Sequence, residues 1–178
     1  MLFRSNEKMC DEFSKLMESE FEMSMMGELK FFLGLQIKQH KDGIFICQEK
    51  YIKDLLKKYH MNEAKIMSTP LHPPSSLDED ENGKAFPEKE YRGMIGSLLY
   101  LTASRPDIVF AVELCARFQT APKESHHIAV KRIFRYLVGT TDIGILYKKG
   151  FHFNLMGYYD ADYVGDKISW GSPDQLVL

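Results

Sequence analysis

The sequence of 178 residues contains no long run of apolar residues. A membrane-spanning helix needs about 20 consecutive apolar residues, and the first residues also lack the apolar centre of a secretory signal peptide. Cysteine is scarce, because Cys10, Cys47 and Cys115 are the whole set, far apart and odd in number. These absences argue against a membrane partner, a disulfide framework and a zinc knuckle. They predict reduced thiols in a cytoplasmic or nuclear protein.

Neither sign of charge dominates, since the formal net charge of the whole chain is −2. The distribution is uneven, however. Residues 61–90 carry seven acidic and three basic side chains, whereas residues 91–150 carry nine basic and four acidic ones. A basic middle in a nearly neutral chain is compatible with a surface that binds a polyanion.

The most informative stretch combines two strand patterns, a turn and a helix. In Phe31–Ile37 apolar residues alternate, which predicts a strand with four apolar side chains on one face. A second strand is predicted at Ile44–Cys47, and the intervening Lys41-Asp42-Gly43 is typical of a hairpin turn. An amphipathic helix follows. Its apolar face comprises Tyr51, Ile52, Leu55, Leu56 and Tyr59, and its basic face Lys50, Lys53, Lys57 and Lys58.

Helical spacing recurs on both sides of a turn-rich segment. Near the N-terminus it predicts an amphipathic helix with Asn6 as N-cap. Residues 68–87 are interpreted as an exposed loop, with disorder expected at Asp78–Lys84. Three helices then follow, with Ser104 as a cap candidate, before a short strand at Ile143–Tyr147. The predicted apolar faces of the first three of these four helices comprise Met9, Phe13, Leu16, Met17 and Phe21; Tyr91, Met94, Ile95, Leu98 and Leu99; and Ile108, Val112, Cys115 and Phe118. In the last helix Ile128, Ile133, Phe134 and Leu137 are predicted to lie inward.

Several of these motifs occur together in one known family. The string FLGLQI, the Asp-Gly turn and QEKYIKDLLKKY resemble the end of the reverse transcriptase domain in Pol polyproteins of copia-type long-terminal-repeat retrotransposons. The later run YRGMIGSLLYLTASRPDIVFAV resembles the part of those polyproteins that joins the thumb to ribonuclease H. The resemblance extends from about Met1 to about Lys167, and the tail Ile168–Leu178 departs from it.

The resemblance implies an α+β fold and four segments. Residues 1–67 would be the end of the palm, with the primer-grip hairpin and the first thumb helix. Residues 68–90 would be a linker, and residues 91–150 the helical thumb and connection. Residues 151–178 would be the truncated start of a ribonuclease H-like domain, including its first strand.

The resemblance also implies metal chemistry that this chain lacks. Intact family enzymes hold two Mg²⁺ ions on a Tyr-x-Asp-Asp motif, and this sequence has no adjacent aspartates. Asp160 matches the first catalytic aspartate of ribonuclease H and would bind metal only in a complete domain. Carboxylates spaced like Asp160 and Asp162 are otherwise usually solvated. We therefore expect a catalytically inactive fragment with no cofactor and no small-molecule substrate.

Candidate nucleic-acid-binding residues fall into three sets. The implied partner is an RNA–DNA or DNA primer–template duplex. Each set has an ordinary structural interpretation beside it, since a half-buried strand, a bulge at the glycine or a solvated basic helix face would show the same pattern. The three sets are Phe32, Leu33 and Gly34 in the primer grip; Lys53 and Lys57 on the helix after it; and Lys131, Arg132 and Arg135 on the last helix.

Three interpretations of the whole chain remain open from the sequence. It is a fragment of a retrotransposon RNA-directed DNA polymerase and ribonuclease H polyprotein that contributes template–primer binding. Alternatively, it is a domesticated, non-enzymatic module that binds nucleic acid or a protein. In the third interpretation it is a pseudogene-like product that does not fold stably, because a cut palm sheet leaves an exposed edge.

Overall fold

The computed structural model describes residues 7–24, 27–71 and 77–150. They form a mixed α+β structure of helices and one antiparallel sheet. A short 3₁₀ turn at Pro106–Ile108 precedes the fourth helix. The elements in chain order are α1 (Glu7–Glu20), β1 (Phe31–Phe32), β2 (Leu35–His40), β3 (Gly43–Cys47), α2 (Glu49–Lys58), α3 (Glu88–Leu101), α4 (Val109–Ala116), α5 (Glu124–Val138) and β4 (Gly144–Lys148).

Helices α2 to α5 share one apolar core, as their spacing predicts. Its buried side chains include Ile52 and Leu55 of α2 and Ile133, Phe134 and Leu137 of α5. The inward position predicted for Ile128 is wrong, since it is 64% exposed, and Leu99 of the predicted apolar face is 42% exposed. Successive helix positions point about 100° apart, so apolar residues beside the buried stripe turn away from it. The core unites two segments that the sequence separates by a turn-rich stretch.

The sheet has the order β1-β2-β3-β4, and every neighbouring pair is antiparallel. The predicted hairpin of β2 and β3 is confirmed, with His40 opposite Gly43 across a tight turn. The predicted strand at Ile143–Tyr147 is β4, displaced by one residue, and it pairs with β3 so that Gly144 lies opposite Cys47. This long-range pairing ties the end of the helical region to the hairpin.

The predicted single strand Phe31–Ile37 is wrong, because the chain reverses inside it. Phe31–Phe32 pairs with Leu35–Gln36 across a tight turn at Leu33 and Gly34. Both turn residues have positive φ, +49° for Leu33 and +81° for Gly34. Positive φ at both central positions is the geometry of the tight hairpin turns that match strand twist. The alternation of apolar residues is therefore divided between two strands.

The segment before α3 is held in place, contrary to the disorder expected at Asp78–Lys84. The Lys123 ammonium group donates to the carbonyl oxygens of Glu81 and Gly83 at 3.3 and 3.2 Å. The Ser125 hydroxyl donates to the Asp80 carboxylate at 2.6 Å, and Nε2 of His126 lies 2.8 Å from the Asp78 carbonyl oxygen. These polar contacts from the start of α5 replace the apolar burial that the segment lacks.

The turn between α3 and α4 is fixed by buried polar groups. Ser104 does not cap a helix as expected, since its buried hydroxyl donates to Oε1 of Gln48 at 2.8 Å. The buried Arg105 guanidinium donates to both carboxylate oxygens of Asp107, at 2.9 and 2.7 Å, and to the Thr140 carbonyl oxygen at 2.7 Å. Arg105 thereby connects the turn to the end of α5.

Helix α1 is the amphipathic helix that the sequence predicts, but its apolar side is exposed. Met9 is 62%, Phe13 47% and Leu16 59% exposed. These side chains therefore do not join the apolar core of α2 to α5. Among the described helices, none combines the length and apolarity needed to cross a bilayer.

The described cysteines are free thiols, in agreement with the expectation of reduced cysteines. Cys47 and Cys115 are buried, and Cys10 is partly exposed. Burial raises the pKa of Cys115 to about 12, so this thiol stays protonated and unreactive at neutral pH. Cys47 and Cys115 thus act as core side chains.

Candidate nucleic-acid interface

The hairpin tip, Phe31–Gly34, carries the first predicted site residues and projects apolar side chains from the sheet. Leu33 is 77% exposed, and Phe31 and Phe32 are 55% and 42% exposed. Leu33 also adopts a left-handed conformation that is unfavourable for a branched side chain. Strain of this kind persists only where the surrounding structure fixes it, and it is common at binding sites.

Helix α3 fixes this turn through Tyr100. The Tyr100 hydroxyl donates a hydrogen bond to the Leu33 carbonyl oxygen at 2.5 Å. The Tyr100 ring packs edge-on against Tyr51 of α2 at a centroid distance of 4.9 Å, and Tyr51 in turn donates to the Ser97 carbonyl oxygen at 3.1 Å. Partial burial raises the pKa of Tyr51, so it remains a donor at neutral pH. Two helices thus preorganise the hairpin tip.

Gly34 is required by this arrangement. A Cβ atom at position 34 would lie 2.2 Å from the Tyr100 hydroxyl oxygen, and the φ of +81° already favours glycine. The sequence suggested either close approach of a ligand or a bulge here. The structure instead shows a turn approached closely by a tyrosine side chain.

Helix α2 begins beside strand β2 of the same hairpin. The Gln36 side chain of β2 accepts a hydrogen bond from the Lys50 backbone N–H at 2.8 Å. Nζ of Lys53 lies 2.6 Å from Oε1 of Glu49, and the hydrogen bond from Lys53 lowers the pKa of the Glu49 carboxyl group. The Lys57 side chain is exposed. Exposed lysines can contact phosphates at little desolvation cost, although the Glu49 pair competes for Lys53.

The basic residues of α5 do not form the exposed helix face that the sequence predicts. Lys131, Arg132 and Arg135 are all half-buried. Arg132 donates to the Thr69 hydroxyl oxygen at 2.8 Å, and the Arg135 carbonyl oxygen accepts from the Met67 N–H at 3.4 Å. The chain after α2 therefore lies along α5 and covers part of this basic surface.

The titratable neighbour of this surface is His127 of α5. Burial lowers its pKa, and the positive charge of Lys131 lowers it further. His127 stacks on Phe86 at a centroid distance of 3.8 Å, and His126 stacks on Phe118 at 3.9 Å. Both histidines therefore pack as ordinary helix residues, as the sequence predicts.

The described residues do not fit a metal centre. Within residues 7–24, 27–71 and 77–150, no three His, Cys, Asp or Glu side chains come together in a way that could hold a metal ion. Asp160, the predicted ribonuclease H aspartate, lies outside the described residues.

The contacts group the predicted residues into two surfaces. Phe32, Leu33 and Gly34 are linked to α2 by Tyr100 and Tyr51, whereas Arg132 is linked to Thr69. Sequence reasoning missed Tyr100 and Thr69. The only sequence signal for Tyr100 is an aromatic residue with a polar end beside the predicted inward face of α3, and Thr69 carries no such signal because its arginine partner is distant in sequence.

Comparison with known proteins shows which family this chain resembles. Residues 1–73 match the family described as reverse transcriptase (RNA-dependent DNA polymerase). The chain is 40% identical over 91% of its length to the retrovirus-related Pol polyprotein from transposon RE1 of Arabidopsis thaliana. It is 35% identical over 84% of its length to the corresponding polyprotein from transposon TNT 1-94 of Nicotiana tabacum.

The match covers a small part of the large relatives. The chain spans 11% of the first of these polyproteins and 12% of the second. It spans 62% of an uncharacterized mitochondrial protein of Arabidopsis thaliana, with 35% identity over 84% of the chain. No solved structure matches it. The chain is thus similar over most of its length to copia-type, retrovirus-related Pol polyproteins, and its residues 1–73 match the reverse transcriptase family.

Proposed function

We propose that this chain contributes template–primer binding to a retrotransposon reverse transcriptase. The observation that carries the proposal is the hairpin tip, where an exposed Leu33 sits on a left-handed turn fixed by Tyr100. The apolar tip would contact the end of the primer, while Lys53 and Lys57 on the adjacent helix contact the phosphate backbone. The duplex would be RNA–DNA or DNA, and the cell compartment the cytoplasm or the nucleus.

The segment boundaries that fit this role follow the family resemblance. Residues 1–67 serve as the end of the palm with the primer grip and first thumb helix, and 91–150 as the helical thumb and connection, joined by residues 68–90. Residues 151–178 serve as the start of a ribonuclease H-like domain. The pairing of β4 with β3 and the shared core support a single binding unit over the first three segments.

We further propose that the 178-residue chain does not polymerise nucleotides by itself. Two-metal phosphoryl transfer needs carboxylates that hold both ions a few ångströms apart. The sequence has no adjacent aspartates. In an intact family enzyme Mg²⁺ supplies this chemistry, and Asp160 would take part only in a complete ribonuclease H domain.

Fluorescence anisotropy with a labelled RNA–DNA primer–template tests the binding role. Leu33→Asn should weaken binding about fivefold, because an apolar contact worth about 1 kcal/mol is lost while asparagine tolerates the left-handed backbone. Lys53→Gln and Lys57→Gln should each lower the salt slope of binding by about 0.9. Lys89→Gln, on the exposed start of α3, is the matched control and should change neither quantity. If all four variants changed the affinity and the salt slope equally, the proposed interface would be contradicted.

The exposed apolar side of α1 favours a second candidate, a non-enzymatic module that binds a protein. Met9, Phe13 and Leu16 share this side without covering contacts from the described core. Replacing Phe13 and Leu16 by glutamine should abolish partner capture while leaving duplex binding intact. If duplex binding is absent and capture is present, the second candidate replaces the first.

A further inference from the structure

We propose that Thr69 is a phosphorylation site for a proline-directed protein kinase and that Arg132 and Arg135 bind the resulting phosphate. Thr69 is exposed and is followed directly by Pro70, the pairing that such kinases require. Residues 61–71 contain neither helix nor strand, so the segment can adopt the extended conformation in which kinases bind their substrates. The site is independent of the hairpin tip.

The Thr69 hydroxyl already lies within reach of a cation. Its oxygen accepts a hydrogen bond from Nη2 of Arg132 at 2.8 Å, and it donates to the Leu71 carbonyl oxygen at 3.0 Å. A phosphate on this oxygen would therefore form next to a guanidinium group, whose planar set of donors matches phosphate oxygens.

The segment that carries Thr69 is positioned along α5. Met67 donates to the Arg135 carbonyl oxygen at 3.4 Å, and Ile66 fills the space beside Gly139, where a Cβ would lie 2.7 Å from the Ile66 methyl carbon. The segment thus runs antiparallel to the helix. Because Arg132 and Arg135 are three residues apart, they share one helix face under it.

Both arginines have unused hydrogen-bonding capacity. The Nε atoms of Arg132 and Arg135 are buried, and neither has a partner within the described residues. A buried donor without an acceptor costs free energy, and a phosphate supplies three strong acceptor oxygens and nearly two negative charges. Phosphorylation of Thr69 therefore supplies the acceptors that this part of α5 lacks.

ATP supplies the phosphoryl group. The Thr69 hydroxyl oxygen attacks the γ-phosphorus of ATP, forming an O–P bond while the bond between the γ-phosphorus and its bridging oxygen breaks. ADP leaves, and the hydroxyl proton is released through the base of the kinase. No oxidation or reduction occurs.

Phosphorylation would neutralise the positive charge of Arg132 and Arg135 within the unit that is proposed to bind a template–primer. This consequence rests on the proposed function, whereas the modification itself and its arginine partners do not. Phosphorylated chain should bind the primer–template more weakly and with a shallower salt slope.

The kinase step is tested by incubating the full chain with ATP and a purified proline-directed kinase, then mapping phosphate by mass spectrometry. The sequence has a second Ser/Thr-Pro pair, Ser172-Pro173, which gives a matched comparison. Thr69→Ala should remove the Thr69 phosphopeptide, and Ser172→Ala should leave it unchanged. Absence of phosphate at Thr69 in the wild-type chain would overturn the site.

The arginine partners are tested by ³¹P NMR titration of a chain with phosphothreonine at position 69. The second pKa of the phosphate should fall below its ordinary value of about 6 and should return toward it in Arg132→Gln and Arg135→Gln. Arg92→Gln, an exposed arginine paired with Glu88, should have no effect. An ordinary pKa in the wild-type chain, equal to that of a short peptide around Thr69, would overturn the phosphate-binding role whether or not the protein binds nucleic acid.

Discussion

At the scale of single residues, Gly34 decides whether the hairpin tip can form. Gly34→Ala should lower the free energy of unfolding by about 2 kcal/mol, since alanine is unfavourable at positive φ and its Cβ would meet the Tyr100 hydroxyl. Urea unfolding followed by circular dichroism measures the change.

Gly96 is the matched control for this substitution. It lies exposed in α3, and a Cβ there would have no neighbour within 4 Å. Gly96→Ala should therefore stabilise the chain by about 0.5–1 kcal/mol, because alanine is the better helix former. Loss of stability in both variants to the same extent would contradict the account of the tip.

Asp107 is a second residue with a definite prediction. Burial disfavours its charge, but hydrogen bonds from Arg105 and Tyr136 outweigh burial and hold the pKa of Asp107 below its usual value near 3.8. The stabilisation is therefore complete above about pH 4 and is lost as the pH falls through the lower pKa of the folded state.

Asp107→Asn should remove this pH dependence. At pH 7 it should cost on the order of 2 kcal/mol, less than a fully buried pair because the Asp107 side chain is 30% exposed. Thermal melts of both proteins between pH 2.5 and 7 provide the measurement. Parallel melting curves across this range would show that Asp107 is not the responsible carboxylate.

At the scale of elements, β4 is the part whose position depends on distant contacts. A Cβ at Gly144 would lie 2.3 Å from the Ile46 carbonyl oxygen and 2.8 Å from Cβ of Cys47. Gly144→Val should therefore separate β4 from β3 and expose their amides to hydrogen exchange, while amides of α5 around Phe134 keep their protection.

Ile145→Val is the control for this element, since valine preserves the strand and its pairing with Ile46. It should leave the exchange of β3 unchanged. If Gly144→Val instead unprotects α5 as fully as β3, the helical core needs the β3–β4 pairing in order to fold.

The elements also show what the sequence can predict here. The helices were predictable because their buried stripes repeat every three or four residues, as for Ile133, Phe134 and Leu137. The turn at Lys41 and Asp42 was predictable from the following glycine. The turn at Leu33 was not, because a leucine with positive φ depends on Tyr100, which lies far along the chain.

The candidate site was predictable only in part for the same reason. Local sequence placed Lys53 and Arg132 on their helices but put Leu33 in a strand, and partners distant in sequence decide what Leu33 and Arg132 offer. Tyr100 binds the Leu33 carbonyl oxygen, and Arg132 faces Thr69. Periodicity identifies the buried face of an element, but it does not identify which other segment covers that face.

At the scale of the whole molecule, the sheet and the helical core hold the hairpin tip and the basic helices in one arrangement. The core draws on α2 through α5, and the β3–β4 pairing ties the first half of the described chain to the second. Because the sheet and the core are linked in this way, we expect the described part of the chain to unfold cooperatively.

The most direct test is the salt dependence of binding to an RNA–DNA primer–template, measured on the wild-type chain beside a thermal melt. The account predicts a cooperative melt and an affinity that falls steeply with salt, with a logarithmic slope of about −3 or steeper, as expected when several phosphates are neutralised. A cooperative melt without binding, or binding that ignores salt, would contradict the central claim that this chain contacts a template–primer.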